Sequence, residues 1–432
     1  PVSMFIMTLR LATPMTSAMT SLIGNPSMAR RSDRNDSNTG RHAPILAFEP
    51  PGGALDTVGR PLPVVHVLGR DEGTGPAVRL GRYRAADGSD GATVGLDLDR
   101  PHAALIVGKR GYGKSHTLGV LAEDAARAAG VAPVVVDPMG GFDGLAVGDA
   151  VPARVVDAPT VPAATLPPPA WPALFDLSPT DPVGVLLWDA ASATDSLAAM
   201  IERVETAAVD AHVRRAARNH LDLADSWGVF APDGLAPDAL LSGAATVLDC
   251  SGLDDRPAAA LVRAVARGLY DVCVERCPDR LPWLLVDEVH AFADGVAAPA
   301  LETVVTRGRT PGVSLVAATQ RPSALPPVAV SQADLLIAHR LTAAADVEAL
   351  AAAAPTYLSG TLRERLPTTP GGAVVVDDAT ESVHGVQVRR RETPHGGADP
   401  RASDRAGQSS SSVPQSGHSP STTGTGAEQV GQ

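Results

Sequence analysis

Lysine is nearly missing from this sequence. Among 432 residues only Lys109 and Lys114 occur, and every other side-chain cation apart from histidine is arginine. Aromatic residues are scarce too, at 3%, so a core drawn from the 44% of hydrophobic residues must be built mainly of Ala, Val and Leu. There are three cysteines, Cys250, Cys273 and Cys277, and no Cys/His cluster beside them that could supply the about four ligands of a structural metal. They read as buried thiols of a reducing cytosol, with Cys273 and Cys277 one helical turn apart. No apolar run approaches the ~20 residues of a membrane span. The stretch Met4–Met28 is interrupted by Arg10 and by Ser, Thr and Pro, so it lacks a clean signal-peptide core. The expectation is a cytoplasmic protein without a membrane partner. Since the sequence opens on Pro1, an early methionine such as Met28 is a candidate start. A net charge of -12 excludes a uniformly basic, nucleic-acid-coating surface but leaves room for a locally basic channel.

What is present divides the chain. Residues 1–43, rich in Arg, Asp, Asn and Ser from position 29, are expected to be disordered. Residues 44–100 carry short apolar runs split by Gly, Pro and Asp, the pattern of a small β-rich, barrel-like module. From 101 to 393 apolar strands alternate with amphipathic helices, which predicts an α/β domain with a mostly parallel sheet covered on both faces. Candidate strands are 103–108, 133–137, 245–250, 283–287, 313–319, 333–338 and 372–377, most of them continuous apolar runs as fully buried strands require. Between 160 and 240 the alternation lapses. There a Pro-rich connection leads to Leu197, Met200, Ile201 and Val204 at helical spacing, so a helical insertion is expected. From 394 the chain is Gly, Ser, Thr and Pro, the composition of a disordered tail.

Both lysines fall inside Gly108-Lys109-Arg110-Gly111-Tyr112-Gly113-Lys114-Ser115, a complete phosphate-binding loop. Such a loop turns backbone N–H groups inward around phosphates, and Gly108, Gly111 and Gly113 let the chain approach that closely. Lys114 would reach the β- and γ-phosphates and Ser115 would place its hydroxyl on Mg²⁺, with the set running on to His116. A buried strand, Ala103–Val107, enters the loop, and an amphipathic helix with Leu118, Leu121, Ala122 and Ala125 on one face leaves it, directing its positive end at the anion.

Phosphoryl transfer also needs a carboxylate for the metal and a group to orient water. Leu284-Leu285-Val286-Asp287-Glu288 is an apolar strand ending in two acids, Asp287 to hold the metal and Glu288 to polarise the attacking water. The next strand ends in Thr319-Gln320-Arg321-Pro322, where Gln320 is placed to sense the γ-phosphate. Arg307 and Arg309 precede that strand and are candidates for a finger reaching a neighbouring subunit; Arg340, at the end of the 333–338 strand, is a weaker one. Asp137 ends the second strand at the phosphate edge.

With these stations in order, the chain resembles the HerA/FtsK superfamily of ring ATPases, HerA-like members above all. The matching stretches are the loop from Val107 to Ser115, Val136-Asp137-Pro138, Val286-Asp287-Glu288-Val289-His290-Ala291-Phe292, and Gly308-Arg309 leading to Ala318-Thr319-Gln320-Arg321-Pro322. The resemblance implies a RecA-like P-loop NTPase fold, ATP and Mg²⁺ as ligands, and Arg309 as the trans-acting arginine. It further implies a hexameric ring that threads duplex DNA as a translocase or helicase, in company with a nuclease if it serves end processing. The acidic balance and the tail suit another class, an ATP-dependent switch that binds a protein partner without moving DNA.

Overall fold

The alternation of apolar runs with amphipathic stretches produces one twelve-stranded sheet among the residues described by a computed structural model, namely 66–85, 87–353 and 362–396. All of these lie in the larger of the two units of the chain, Leu55–Gln432. The expected N-terminal segment 1–43, part of the 44–100 stretch, and the tail from 397 lie outside the described residues.

The strands in chain order are β1 (His66–Leu68), β2 (Ala77–Arg84), β3 (Asp90–Asp97), β4 (Ala103–Val107), β5 (Val131–Asp137), β6 (Ala153–Asp157), β7 (Ala245–Asp249), β8 (Leu281–Val286), β9 (Ser314–Thr319), β10 (Leu335–Ala338), β11 (Gly372–Asp377) and β12 (Ser382–Val388). Their order across the sheet is β1-β3-β2-β12-β11-β10-β4-β9-β8-β5-β7-β6. From β10 to β6 every neighbouring pair is parallel. From β10 through β11, β12 and β2 to β3 the pairing is antiparallel, and β1 closes the edge parallel to β3. The expected mostly parallel α/β sheet is thus present, and the described part of the 44–100 stretch continues it edge-on through β12.

Successive residues of a strand point to opposite faces, and both faces here are apolar. Leu105, Val107, Val134, Val136, Leu284 and Val286 enter one core; Ala104, Ile106, Val135, Leu285, Val316 and Ala318 enter the other. The helices cover these faces: α1 (Lys114–Arg127), α2 (Ala170–Ala173), α3 (Pro182–Ala193), α4 (Leu197–Thr206), α5 (Ala211–Ser226), α6 (Asp255–Glu275), α7 (Ala298–Arg307), α8 (Pro327–Ser331), α9 (Ala344–Ala352) and α10 (Leu362–Arg365). Leu118, Leu121, Ala122 and Ala125 of α1 fill the second core, with Leu68, Val78, Leu80, Val94 and Leu96 from β1–β3. The first core holds α6 and α7 and also the helices α2–α5 between β6 and β7, through Trp171, Leu187, Met200, Val204 and Leu221. Of the apolar set expected on α4, Leu197, Met200 and Val204 are buried and Ile201 is half-buried.

Two strands escape the apolar-run criterion. In β6, Ala-Arg-Val-Val-Asp at the sheet's edge, every residue is partly or fully exposed. In β12, Ser-Val-His-Gly-Val-Gln-Val, burial is confined to Val386 and Val388. Of the three cysteines expected to be buried thiols, one is not. Cys250 and Cys273 are buried, but α6 ends at Glu275, so Cys277 lies beyond the helix and is exposed.

Beyond the last strand, residues 389–393 run back along α1. Glu123 of α1 is fully buried and accepts hydrogen bonds from the backbone N–H of Glu392 and of Thr393, both at 2.9 Å. It also accepts from the Thr393 hydroxyl at 2.7 Å and pairs with Arg389 at 2.7 Å. Arg391, 2% exposed, lies against the same helix, 2.7 Å from where a Cβ on Gly119 would sit.

Candidate nucleotide site

The site forms where the parallel strands end. Strand β4 delivers the chain into residues 108–113, and α1 begins at Lys114, so the helix's first free N–H groups border the loop. Two edges hold the loop in place. Gly108 N–H donates to the Thr319 carbonyl at 3.3 Å and Lys109 N–H to the Arg340 carbonyl at 2.8 Å, while the Tyr112 carbonyl accepts from Gly371 at 3.2 Å. The glycines are needed for two reasons. Gly111 and Gly113 have φ of 79° and 119°, in the region that side chains rarely adopt, and a Cβ on Gly108 would stand 2.6 Å from the Cβ of His339. Tyr112 lies between two cations, Lys109 Nζ at 4.6 Å and the Arg340 guanidinium at 5.7 Å from its ring centre.

Beneath the loop lies a residue that the motif reading did not single out. His339, fully buried, bonds Thr117 Oγ1 through Nε2 at 2.9 Å and the Gly372 carbonyl through Nδ1 at 2.7 Å. The carbonyl can only accept, so Nδ1 carries the proton and Nε2 accepts from the threonine hydroxyl. Burial, reinforced by the Lys114 charge, pushes its pKa down to about 4, so the imidazole is neutral at pH 7. The only sequence signal for it is a histidine directly after an apolar strand.

Strand β8 brings the acid pair alongside the loop. Asp287 is 2% exposed and accepts a hydrogen bond from the Ser115 hydroxyl. Burial pushes its carboxyl upward, and the nearby Glu288 charge adds to this, while the Ser115 bond and the Lys114 ammonium oppose it. Glu288 takes a left-handed backbone, φ 44° and ψ 44°, which costs on the order of 1–2 kcal/mol for a residue with a Cβ. Its Oε1 lies 3.8 Å from Lys114 Nζ. Its Oε2 is buried without a hydrogen-bond partner among the described residues. His290 Nδ1 is only 3.3 Å from that oxygen, but this nitrogen is bonded to the Thr319 hydroxyl at 3.2 Å. An unpartnered carboxylate oxygen beside an ammonium group can accept a proton from water.

Gln320 follows the last residue of β9 at the same edge and is half-buried. Arg110 is exposed on the loop and His116 donates to the Arg389 carbonyl at 2.8 Å. Asp137, by contrast, is committed to local structure. Its carboxylate accepts from the backbone N–H of Met139 at 3.1 Å and of Phe142 at 2.9 Å, closing the turn after β5.

The structure does not bring Arg309 to this edge. It precedes β9, and the six residues of that strand lie between it and Gln320, roughly 20 Å at ~3.3 Å per residue. Arg309 is 73% exposed and pairs with Asp334 at 2.9 Å. Arg307 ends α7 on the same side.

The residues present fit a nucleotide with a divalent cation. Ser115 and Asp287 form a hydroxyl–carboxylate pair of the hard oxygen donors that Mg²⁺ takes, and the loop offers the glycine cradle and ammonium that phosphates require.

No protein-family model matches the chain, and no curated protein does. Solved structures do. VirB4 of Thermoanaerobacter pseudethanolicus aligns with a TM-score of 0.57 at 16% identity, covering 75% of this chain and 99% of that one. The bacterial conjugative coupling protein TrwBdeltaN70 aligns at 0.50 and 14%, covering 73% and 90%. TrwB in complex with ADP and Mg²⁺ aligns at 0.50 and 17%, covering 74% and 97%. At these identities it is the architecture that is shared, and the chain has the RecA-like P-loop NTPase fold that its resemblance to the HerA/FtsK superfamily implies.

Proposed function

We propose that this chain is an ATP-hydrolysing motor that assembles as a ring, a hexamer on the family resemblance, and translocates duplex DNA. The observation that carries hydrolysis is the convergence of four side chains. Ser115 meets Asp287, and Lys114 stands 3.8 Å from a glutamate whose other oxygen has no partner. ATP is the substrate. Ser115 and Asp287 would hold Mg²⁺, whose charge offsets that of the phosphates when it is bound. Lys114 and the N–H groups of Gly113, Lys114 and Ser115 bind the phosphates within the loop that Gly108 and Lys109 anchor to Thr319 and Arg340, Glu288 Oε2 takes the proton of the attacking water, and Gln320 at the tip of β9 senses the γ-phosphate.

Arg309 stands at the far ends of the strands from its own loop, so a finger role requires a second copy. The ring and DNA parts of the reading rest on the resemblance. They draw support from the shared architecture with TrwB, described as a conjugative coupling protein and binding ADP and Mg²⁺. A nuclease partner would follow if the motor serves DNA end processing.

The test is ATP turnover by the wild-type chain and by Glu288→Gln, with and without duplex DNA over a range of salt, together with mass measurement in the presence of ATP and DNA. Turnover that DNA stimulates, loss of turnover in the variant and a hexameric mass are expected. Slow turnover indifferent to DNA at every salt, with a protein partner held only in the ATP state, would replace the translocase with a switch.

A further inference from the structure

At the edge of the sheet opposite the phosphate loop lies a buried ionic cluster that the nucleotide site does not use. Its centre is His102, 1% exposed, immediately before β4. Its Nε2 is 3.2 Å from Oδ2 of Asp97, the last residue of β3. Its Nδ1 is 2.9 Å from Oδ2 of Asp334, the residue before β10. With a carboxylate on each nitrogen, both can be satisfied at once only if both carry protons. Asp97 is fully buried and paired with Arg70 at 2.7 Å and Arg100 at 3.3 Å. The Trp283 ring and the Ser314 hydroxyl complete the surroundings of His102.

Asp334 is held from two sides. Oδ2 faces the imidazole, and Oδ1 accepts the Ala103 N–H at 3.0 Å, the first residue of the strand that feeds the phosphate loop. The aspartate is 14% exposed, and the partner on its outer side is Arg309, Nη2 to Oδ2 at 2.9 Å. A long exposed arginine ordinarily samples many rotamers. This one is tethered by a single nitrogen to a carboxylate whose orientation is fixed by buried groups. Among the described residues only Nη2 is engaged, which leaves the rest of the guanidinium fork for another acceptor.

We propose that Asp334 is the positioning residue of Arg309, setting the guanidinium at the far edge of the sheet so that it meets the nucleotide of a neighbouring copy. This rests on the reading of Arg309 as a trans-acting finger. His102 serves it indirectly by fixing Asp334, and Asp97 anchors His102 from behind.

The test uses the full chain and mixed assemblies. Asp334→Asn keeps the acceptor for Ala103 N–H and removes the charge facing Arg309. Its kcat is expected to fall roughly 10- to 100-fold, the range that misplacement of a catalytic group produces, with KM for ATP and binding of a fluorescent ATP analogue unchanged. Mixing it with Glu288→Gln subunits, which cannot hydrolyse but carry an intact Arg309, should restore turnover. Trp171→Ala, a truncation in the core beneath the helices between β6 and β7 and away from this cluster, should lower stability while leaving kcat near wild type, which separates positioning from general damage. If Asp334→Asn does not fold, Asp334→Glu, which moves the carboxylate by one methylene, takes its place. Arg309→Ala is the control for the underlying reading. If its loss is not rescued by Glu288→Gln subunits, the finger reading fails and this proposal with it. If Arg309→Ala is rescued but Asp334→Asn turns over normally, or is impaired without rescue, the positioning role alone is overturned.

Discussion

Thr117 and His339 meet at 2.9 Å beneath the phosphate loop, although 222 positions separate them in the chain. The contact ties the first turn of α1 to the end of β10, and it explains why Gly108 has no room for a side chain. Replacing Gly108 by alanine would push a methyl group to within 2.6 Å of the His339 Cβ, a backbone-anchored atom that cannot swing away. The expected cost is about 1–3 kcal/mol of stability with loss of nucleotide binding, read by thermal denaturation and by titration with a fluorescent ATP analogue. Gly111→Ala meets nothing within 4 Å and should suffer only the cost of its positive φ, about 1–2 kcal/mol.

The neutrality of His339 makes stability depend on acid. Its folded pKa is about 4 against an ordinary 6.5, so between those values the unfolded chain binds a proton that the folded chain does not. Its contribution is full above pH 6.5 and is lost as pH falls toward 4, in all on the order of 3 kcal/mol. Urea denaturation between pH 4 and 7 should show a shallower acid decline for His339→Gln than for the wild type. Parallel curves would refute the assignment.

His102 acts in the opposite direction. Burial works against its charged form, but the hydrogen bonds and charges of Asp334 and Asp97 outweigh this and raise its pKa above 6.5. The folded chain therefore holds the proton more tightly than the unfolded one. This stabilisation is complete below pH 6.5 and is lost as pH rises through the raised value. His102→Asn should remove that decline from denaturation curves taken between pH 6 and 9.

The two members of the acid–lysine pair should separate cleanly. Lys114→Ala removes the ammonium beside Glu288 and is expected to abolish nucleotide binding. Glu288→Gln retains the shape of the site and should bind ATP with wild-type affinity while turnover drops at least ~100-fold, the lower range for loss of a general base. Equilibrium binding beside steady-state turnover distinguishes them, and residual wild-type hydrolysis in Glu288→Gln would remove the base from Glu288.

Glu123 carries a prediction about the fold. Its carboxylate is surrounded by Arg389, the Thr393 hydroxyl and two backbone N–H groups, and Arg391 is buried nearby. Glu123→Ala leaves these groups without their acceptor and should cost about 3–5 kcal/mol. Chemical denaturation would detect it, and a change under 1 kcal/mol would mean that solvent takes over the role.

The parts of this architecture that a sequence displays are those made by neighbours along the chain. Residues 108–115 and the Asp287–Glu288 pair are contiguous, and seven buried strands announce themselves as apolar runs whose ends agree with the structure to within two residues. Strand β6 does not, because at the sheet's edge Arg154 faces outward and burial never becomes continuous. His339 and Asp334 were invisible for a different reason. Each gains its meaning from a partner more than 200 positions away, Thr117 in one case and His102 in the other, and nothing local marks such pairs. Cys277 shows the converse error: helical spacing placed it beside Cys273, but α6 ends before reaching it.

The segment that closes over α1 bears on the order of synthesis. Strand β4, the phosphate loop and α1 are made before their supports: Glu123 waits 270 residues for Thr393, and His339 and Gly371 also follow the loop they hold. Until then Glu123 lacks the hydroxyl, backbone N–H groups and arginine that surround it in the finished fold. The supports of the loop and the cover on α1 are therefore among the last contacts that a growing chain can make. Capture of nucleotide would mark the end of folding for this domain.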